Sequence, residues 1–220
     1  QGEMMKLAAA MLASSLVVAG AVSASADPVH IRIGWVSGSS DVPLVSIGPK
    51  DVLRHEGKSY VLDLTHFQGS PPQITALAAN EIDFVGFGFS VLPTAVFNAH
   101  MTDLRIIADM FQDGAPGGYS NEFLVLKDGP IHSITDMKGR VAVTNSAGSA
   151  VDMVLRAIFR KNGLEPNRDV TILEAGFGNM PPMLREHKVD LIPGTRLTNG
   201  DPAIRAFART LFTQKDAVGR

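Results

Sequence analysis

The chain of 220 residues has no cysteine, one tryptophan and two tyrosines, and its 20 basic side chains are offset by 22 acidic ones. Without cysteine there is no disulfide, no thiolate nucleophile and no thiolate-bound metal, whichever redox compartment the protein occupies. A formal net charge of −2 leaves no electrostatic footprint for nucleic acid, and no polybasic run marks a lipid surface. Enzyme signatures are scarce too. The six histidines, His30, His55, His66, His100, His132 and His187, are scattered, with no pair at metal-ligand spacing. Gly86-Phe87-Gly88 begins like a dinucleotide fingerprint, but Val91 stands where its third glycine belongs. Neither a phosphate-cradling loop ending in Gly-Lys nor a nucleophile elbow occurs. No catalytic residue, metal or cofactor is therefore expected.

Long apolar runs are absent beyond the N-terminus. Met4-Met5-Lys6 precede Leu7–Ala26, an uncharged stretch ending in Ala24-Ser25-Ala26 before Asp27-Pro28. A basic start, an apolar middle and small residues before a cut are the features of a cleavable secretory signal. Gln1-Gly2-Glu3 precede the first methionine and read as a vector remnant. An exported, periplasmic protein is expected.

From Val29 onward, short apolar strands alternate with helical segments. Val29–Val36 and Tyr60–Phe67 alternate like strands. Ser70-Pro71-Pro72-Gln73 reads as a helix start, with Ser70 as cap and Ile74, Leu77 and Ala78 on the buried face. Further strands are expected at Ile82–Phe87, Leu104–Met110, Val141–Thr144, Val170–Glu174 and Val189–Ile192. Helices are expected within Val42–His55, from Gly88-Phe89-Ser90 to about His100, over Ala150–Lys161 and near Pro182–Glu186. Gly114-Ala115-Pro116-Gly117-Gly118 breaks the chain into two blocks. Strands separated by helices and short loops imply an α/β fold with mostly parallel sheets.

The richest stretch is Arg140–Gly163: a strand, a polar turn, and a helix opened by Ser149 and Asp152. A strand running into helix amides is a seat for an anion. The chemistry recurs in four turns: Ser37–Ser40, Gly69-Ser70, Gly88–Ser90 and Thr144–Ser149. Ligands of open α/β sheets sit outside the carboxyl ends of the strands, so two facing lobes would bring these turns to one cleft. Hydroxyls, amides, an Asn and nearby Phe suit a small polar, anionic solute with an apolar part.

Four stretches carry a family resemblance: IRIGW (Ile31–Trp35), Phe67–Phe84, Gly129–Leu164 and Val170–Ile192. They resemble the solute-binding proteins of ABC importers with the two-lobed type II periplasmic-binding-protein fold. The branch is the one that binds aliphatic sulfonates, taurine, nitrate and thiamine-pyrimidine precursors. The resemblance implies lobes that close by a hinge over one solute and then dock on a membrane permease with its ATPase subunits. By position it implies ligand contacts at Ser39, Ser40, Gly69, Ser70, Phe89, Ser90, Thr144, Asn145, Ser146, Ser149, Gly178 and Asn179. It adds Asn121 and Glu122 in the first crossover, and Thr195, with Arg196, where the chain should cross back.

The division that follows is residues 1–26 as remnant and signal, 27–117 as the first part of lobe 1, and 118–193 as lobe 2. Residues 194–220 are then the return crossover and the start of the remaining part of lobe 1, which is expected to be incomplete in this chain. Pro193-Gly194-Thr195-Arg196 departs from the aromatic or acidic hinge usual after such a strand. Two other classes compete. An exported enzyme on the same lobes would use Glu122, Asp83 or His66 as acid/base groups, but no two of these share a turn. A transcriptional effector domain is opposed by the export signal and by the lack of a basic DNA-binding segment.

Overall fold

The structure, a computed structural model, describes residues 26–37, 52–110, 112–116 and 119–218. The expected signal segment (but for Ala26), the candidates Ser39 and Ser40, and most of the expected helix at 42–55 lie outside those residues. Of that helix, residues 52–55 form turns.

In the first block, β1 (Val29–Trp35) is the middle strand, with β2 (Tyr60–His66) parallel on one side and β3 (Phe84–Val85) parallel on the other. Helix α1 (Ser70–Ala78) connects β2 to β3 and buries Ile74 and Ala76. Its cap differs from the expectation: Gly69 holds the N-cap position and Ser70 is already helical. Gln73 does not reach back to the cap; its Nε2 donates to the Gly86 carbonyl at 2.9 Å, tying α1 to the end of β3. Asn80, at φ 56°, ends α1 in the left-handed region that Asn tolerates. Two further expectations change. The helix toward His100 resolves into a 3-10 turn at Phe89–Val91 and a π-helical turn at Thr94–Asn98. Leu104–Met110 is not a strand: it pairs with none of the described strands and leaves Ile106 and Ile107 exposed. Apolar content gave the segment strand character; a strand also needs a neighbour for its ladder.

Among the described residues, the second block holds the larger clusters of buried side chains. β4 (Glu122–Leu126) lies antiparallel to both β7 (Ile192–Gly194) and β8 (Ala208–Thr213). β5 (Val141–Thr144) runs parallel to β6 (Thr171–Glu174), and a bridge from Ala142 to Leu191 joins the two sheets. Alternation along β4 sends Phe123 and Val125 to one face and Leu124 to the other. The first face packs on α2 (Ala150–Lys161) through Val154, Leu155, Ile158 and Phe159. The second packs on α3 (Met180–Arg185) through Met180 and Leu184, and on α5 (Pro202–Arg205) through Ile204. The short α4 (Arg196–Gly200) precedes α5.

Residues 194–218 depart from the expected return crossover. β8 pairs with β4, its Phe212 ring stacks on Phe123 at 4.4 Å, and α6 (Gln214–Val218) adds Ala217 to the core around α2. The alternating run Ala208–Thr213 buries Ala208 and Phe212 in the second block, which draws the segment there.

Candidate functional site

The carboxyl ends of β2 and β3 carry the turns Gln68-Gly69-Ser70 and Gly88-Phe89-Ser90, and the carboxyl end of β5 carries Thr144–Ser149. The two groups meet. Asn145 Nδ2 donates to the Gln68 carbonyl at 2.9 Å, from the second block to the first. A side chain on Gly69 would overlap Ser146, and a Cβ on Gly88 would come within 2.7 Å of that of Ala150. Gly148, at φ 75°, faces Pro71, which sits in the first turn of α1. Thus Gly69, Asn145, Ser146 and Ser149 are assembled along one seam, with Ser90 and the 77%-exposed Phe89 in the turn beside Ala150.

Ser149 is the N-cap of α2, as its sequence position implies. Its Oγ accepts from the Asp152 amide at 3.3 Å and donates to Asn145 Oδ1 at 2.8 Å. Thr144, Asn145 and Ser149 are all buried. The anion seat is changed by a residue read only as a start signal. Asp152 Oδ2 accepts from the Gly148 amide at 2.9 Å and pairs with Arg156 Nε at 2.8 Å. The helix's own carboxylate therefore occupies part of the electropositive terminus, and its Oδ1 is buried without a partner. An acidic residue three positions after the cap was the available signal. Ser146 lies against Gly69 and Ser90 beside Gly88 along the same edge, and the buried Ser70 follows Gly69 in sequence. Gly178 and Asn179 belong to the turn Phe177–Asn179 after β6, whose strand is anchored there by the Ala175 amide donating to the Thr144 carbonyl at 3.0 Å.

Asn121, Glu122 and Thr195 enter a different network. Asn121 Nδ2 donates to Gln214 Oε1 at 3.1 Å, and its amide donates to Asp113 Oδ2 at 2.9 Å. Glu122 accepts from Arg205 Nη2 at 2.5 Å and from the Thr210 hydroxyl. Thr195 caps α4 through Thr198. Tyr119 takes part as well: its hydroxyl accepts from Asn199 Nδ2 at 2.6 Å. Burial, then the Glu122 and Asp113 carboxylates, push that phenol up to about 12, so it stays protonated. Gly194 leaves the room that Asn199 fills.

The acid/base candidates do not gather. Glu122 is spent on Arg205, while Asp83 is held by Arg32 in the middle of β1. His66 lies against Trp35 at the carboxyl ends of β1 and β2, ring centroids 4.3 Å apart and planes tilted by 50°, an aromatic pair that no local motif announced. Among the described residues, no group of three or more His, Cys, Asp or Glu is placed to hold a metal.

Residues 24–194 match the model of the NMT1-like family. The chain belongs to that family. Comparison with curated proteins finds no match. Solved structures do match. The chain is similar to the alkanesulfonate-binding protein SsuA of Xanthomonas axonopodis pv. citri bound to MOPS, at 22% identity and a TM-score of 0.66, covering 86% of this chain and 62% of that one. It is similar to the periplasmic aliphatic sulphonate binding protein SsuA of Escherichia coli at 20% identity, TM-score 0.56, with 86% and 62% covered. A binding protein component of an ABC phosphonate transporter from Pseudomonas aeruginosa matches at 18% identity, TM-score 0.59, with 86% and 65% covered. The NMT1-like chain thus spans about 62% of the length of the two sulfonate-binding proteins. Likeness at these identities is one of fold, the α/β architecture of type II periplasmic binding proteins.

Proposed function

We propose that this chain is the extracytoplasmic solute-binding part of an ABC import system, gripping a small, anionic organic solute between its two blocks for delivery to a permease. The observation that carries the reading is the meeting of the strand-end turns: Gln68–Ser70 and Gly88–Ser90 of one block against Thr144–Ala150 of the other. Loops at carboxyl strand ends of two α/β units form the place where such folds receive ligands. The binding proteins of similar fold support the same class of role: two bind sulfonates and one is a component of a phosphonate transporter.

In this reading the solute's acidic group lies among the hydroxyls of Ser70, Ser90 and Ser146 and the Gly178-Asn179 turn. Its apolar part lies toward Phe89 and the Trp35–His66 pair. Residues 27–117 and 118–218 are the two lobes, the second extended by β8 and α6. Among the described residues no helix is long and apolar enough to cross a membrane.

A thermal-shift series with alkanesulfonates, phosphonates, nitrate and uncharged pyrimidines tests this. A tight ligand raises the unfolding midpoint by mass action, stabilising the folded state by ~2.7 kcal/mol at a hundredfold excess over Kd. A rise with sulfonates or phosphonates, with the solute recovered unchanged, is expected. No rise with any of them, or conversion of the solute, contradicts the reading.

A further inference from the structure

We infer that the seam is also a latch: residues of the chain's own two blocks hold those blocks against one another directly, at two positions where only hydrogen fits. The first is Gly69, after β2. Its φ of −166° and ψ of 179° are extended backbone that any residue adopts, so local conformation does not demand glycine. What demands it is Ser146, 77 positions on: an added Cβ would overlap the Ser146 Cβ, lie 3.0 Å from its Oγ and 3.2 Å from Asn145 Nδ2. The second is Gly88, after β3, at φ −67° and ψ 138°, again open to any residue. There an added Cβ would stand 2.7 Å from that of Ala150 at the start of α2.

A polar bond fixes the same register. Asn145 Nδ2 donates to the Gln68 carbonyl, and Asn145 Oδ1 accepts from Ser149, so both ends of this buried amide are engaged. The contacts come from the ends of β2, β3 and β5, and a shift of either block breaks all of them together. Interfaces packed this closely are bistable, not gradually deformable. The latch therefore biases the protein toward the arrangement in which the two blocks touch. The inference goes beyond solute binding and stands without it.

The test uses the full chain without added solute. Because the chain has no cysteine, Glu81→Cys with Lys188→Cys places spin labels only at two exposed positions, one on each block. In that background, Gly69→Ala and Gly88→Ala each lengthen the interlabel distance. Gly69→Ala with Ser146→Gly, and Gly88→Ala with Ala150→Gly, return it toward the parent value. If a single alanine prevents folding, recovery in the paired glycine variant supports the latch. An unchanged distance in both single variants overturns the inference, as does lengthening or misfolding that the paired glycine does not reverse. Binding plays no part in the readout, so this result is separable from failure of the transport reading.

Discussion

Arg32 holds Asp83 from three directions, through its backbone amide, Nε and Nη2, at 3.0, 3.0 and 2.6 Å, while its Nη1 caps the end of α1 at the Asn80 carbonyl. Hydrogen bonds from the Arg32 side chain, then from its amide, bring the Asp83 carboxyl from 3.8 to about 2. A carboxyl depressed in the folded state stabilises above its unfolded pKa and loses that contribution as pH falls through the folded value. Asp83 therefore contributes fully above pH 3.8 and progressively less down to about 2. Denaturant titrations across that window should show a shallower acid loss in Asp83→Asn than in the parent. Equal slopes contradict the assignment. At the seam, Ser149→Ala removes both the cap of α2 and the donor to the buried Asn145 Oδ1, and should cost about 2 kcal/mol of unfolding free energy. Ser149 as a cap was legible because capping is a local rule. The link from Asn145 to Gln68 was not, since it spans 77 positions and leaves no local pattern.

Helix α2 shows how far periodicity carries an element. Val154, Leu155 and Ile158 recur on one face, Ser149 opens it, and Gly163 at φ 75° follows its end. Leu155 is fully buried between α2 and the sheet, so Leu155→Ala should cost about 2–5 kcal/mol, read as a lower midpoint in chemical unfolding. Thr171→Ala, on an exposed residue of β6, should change little by comparison. β1, β2 and β5 were similarly legible, because the first two alternate and β5 is an apolar run buried but for its first residue. Leu104–Met110 has the same composition without a partner strand, and composition alone does not show pairing. Ala208–Thr213 errs the other way: it alternates, but a crossover was expected there from the resemblance, and the Phe123–Phe212 stack places it in the second block.

At the scale of the whole molecule, two α/β blocks of unequal packing share one seam. Among the described residues, the second block buries both faces of its sheet, whereas the first has the smaller cluster of Ile74, Val91 and Ala95 with Ile33 and Ile82 also buried. Heat should therefore loosen the first block before the second, seen as earlier loss of amide protection in β1 and β2 than in β4 and β5. The fold class was visible in the sequence because repeated strand–turn–helix units determine it, and the family through the resemblance carried by Ile31–Trp35, Phe67–Phe84, Gly129–Leu164 and Val170–Ile192. The content of the seam was visible only in part: the hydroxyl-rich turns were found, but the Asp152 carboxylate among the amides of α2 came from three-dimensional placement. The most direct test of the solute-gripping account is calorimetric titration of the protein with an alkanesulfonate, followed by recovery of the solute. The account predicts saturable one-to-one binding that Ser146→Trp abolishes, with the sulfonate returned intact. Binding undiminished by Ser146→Trp, or a sulfonate chemically altered on recovery, would contradict it.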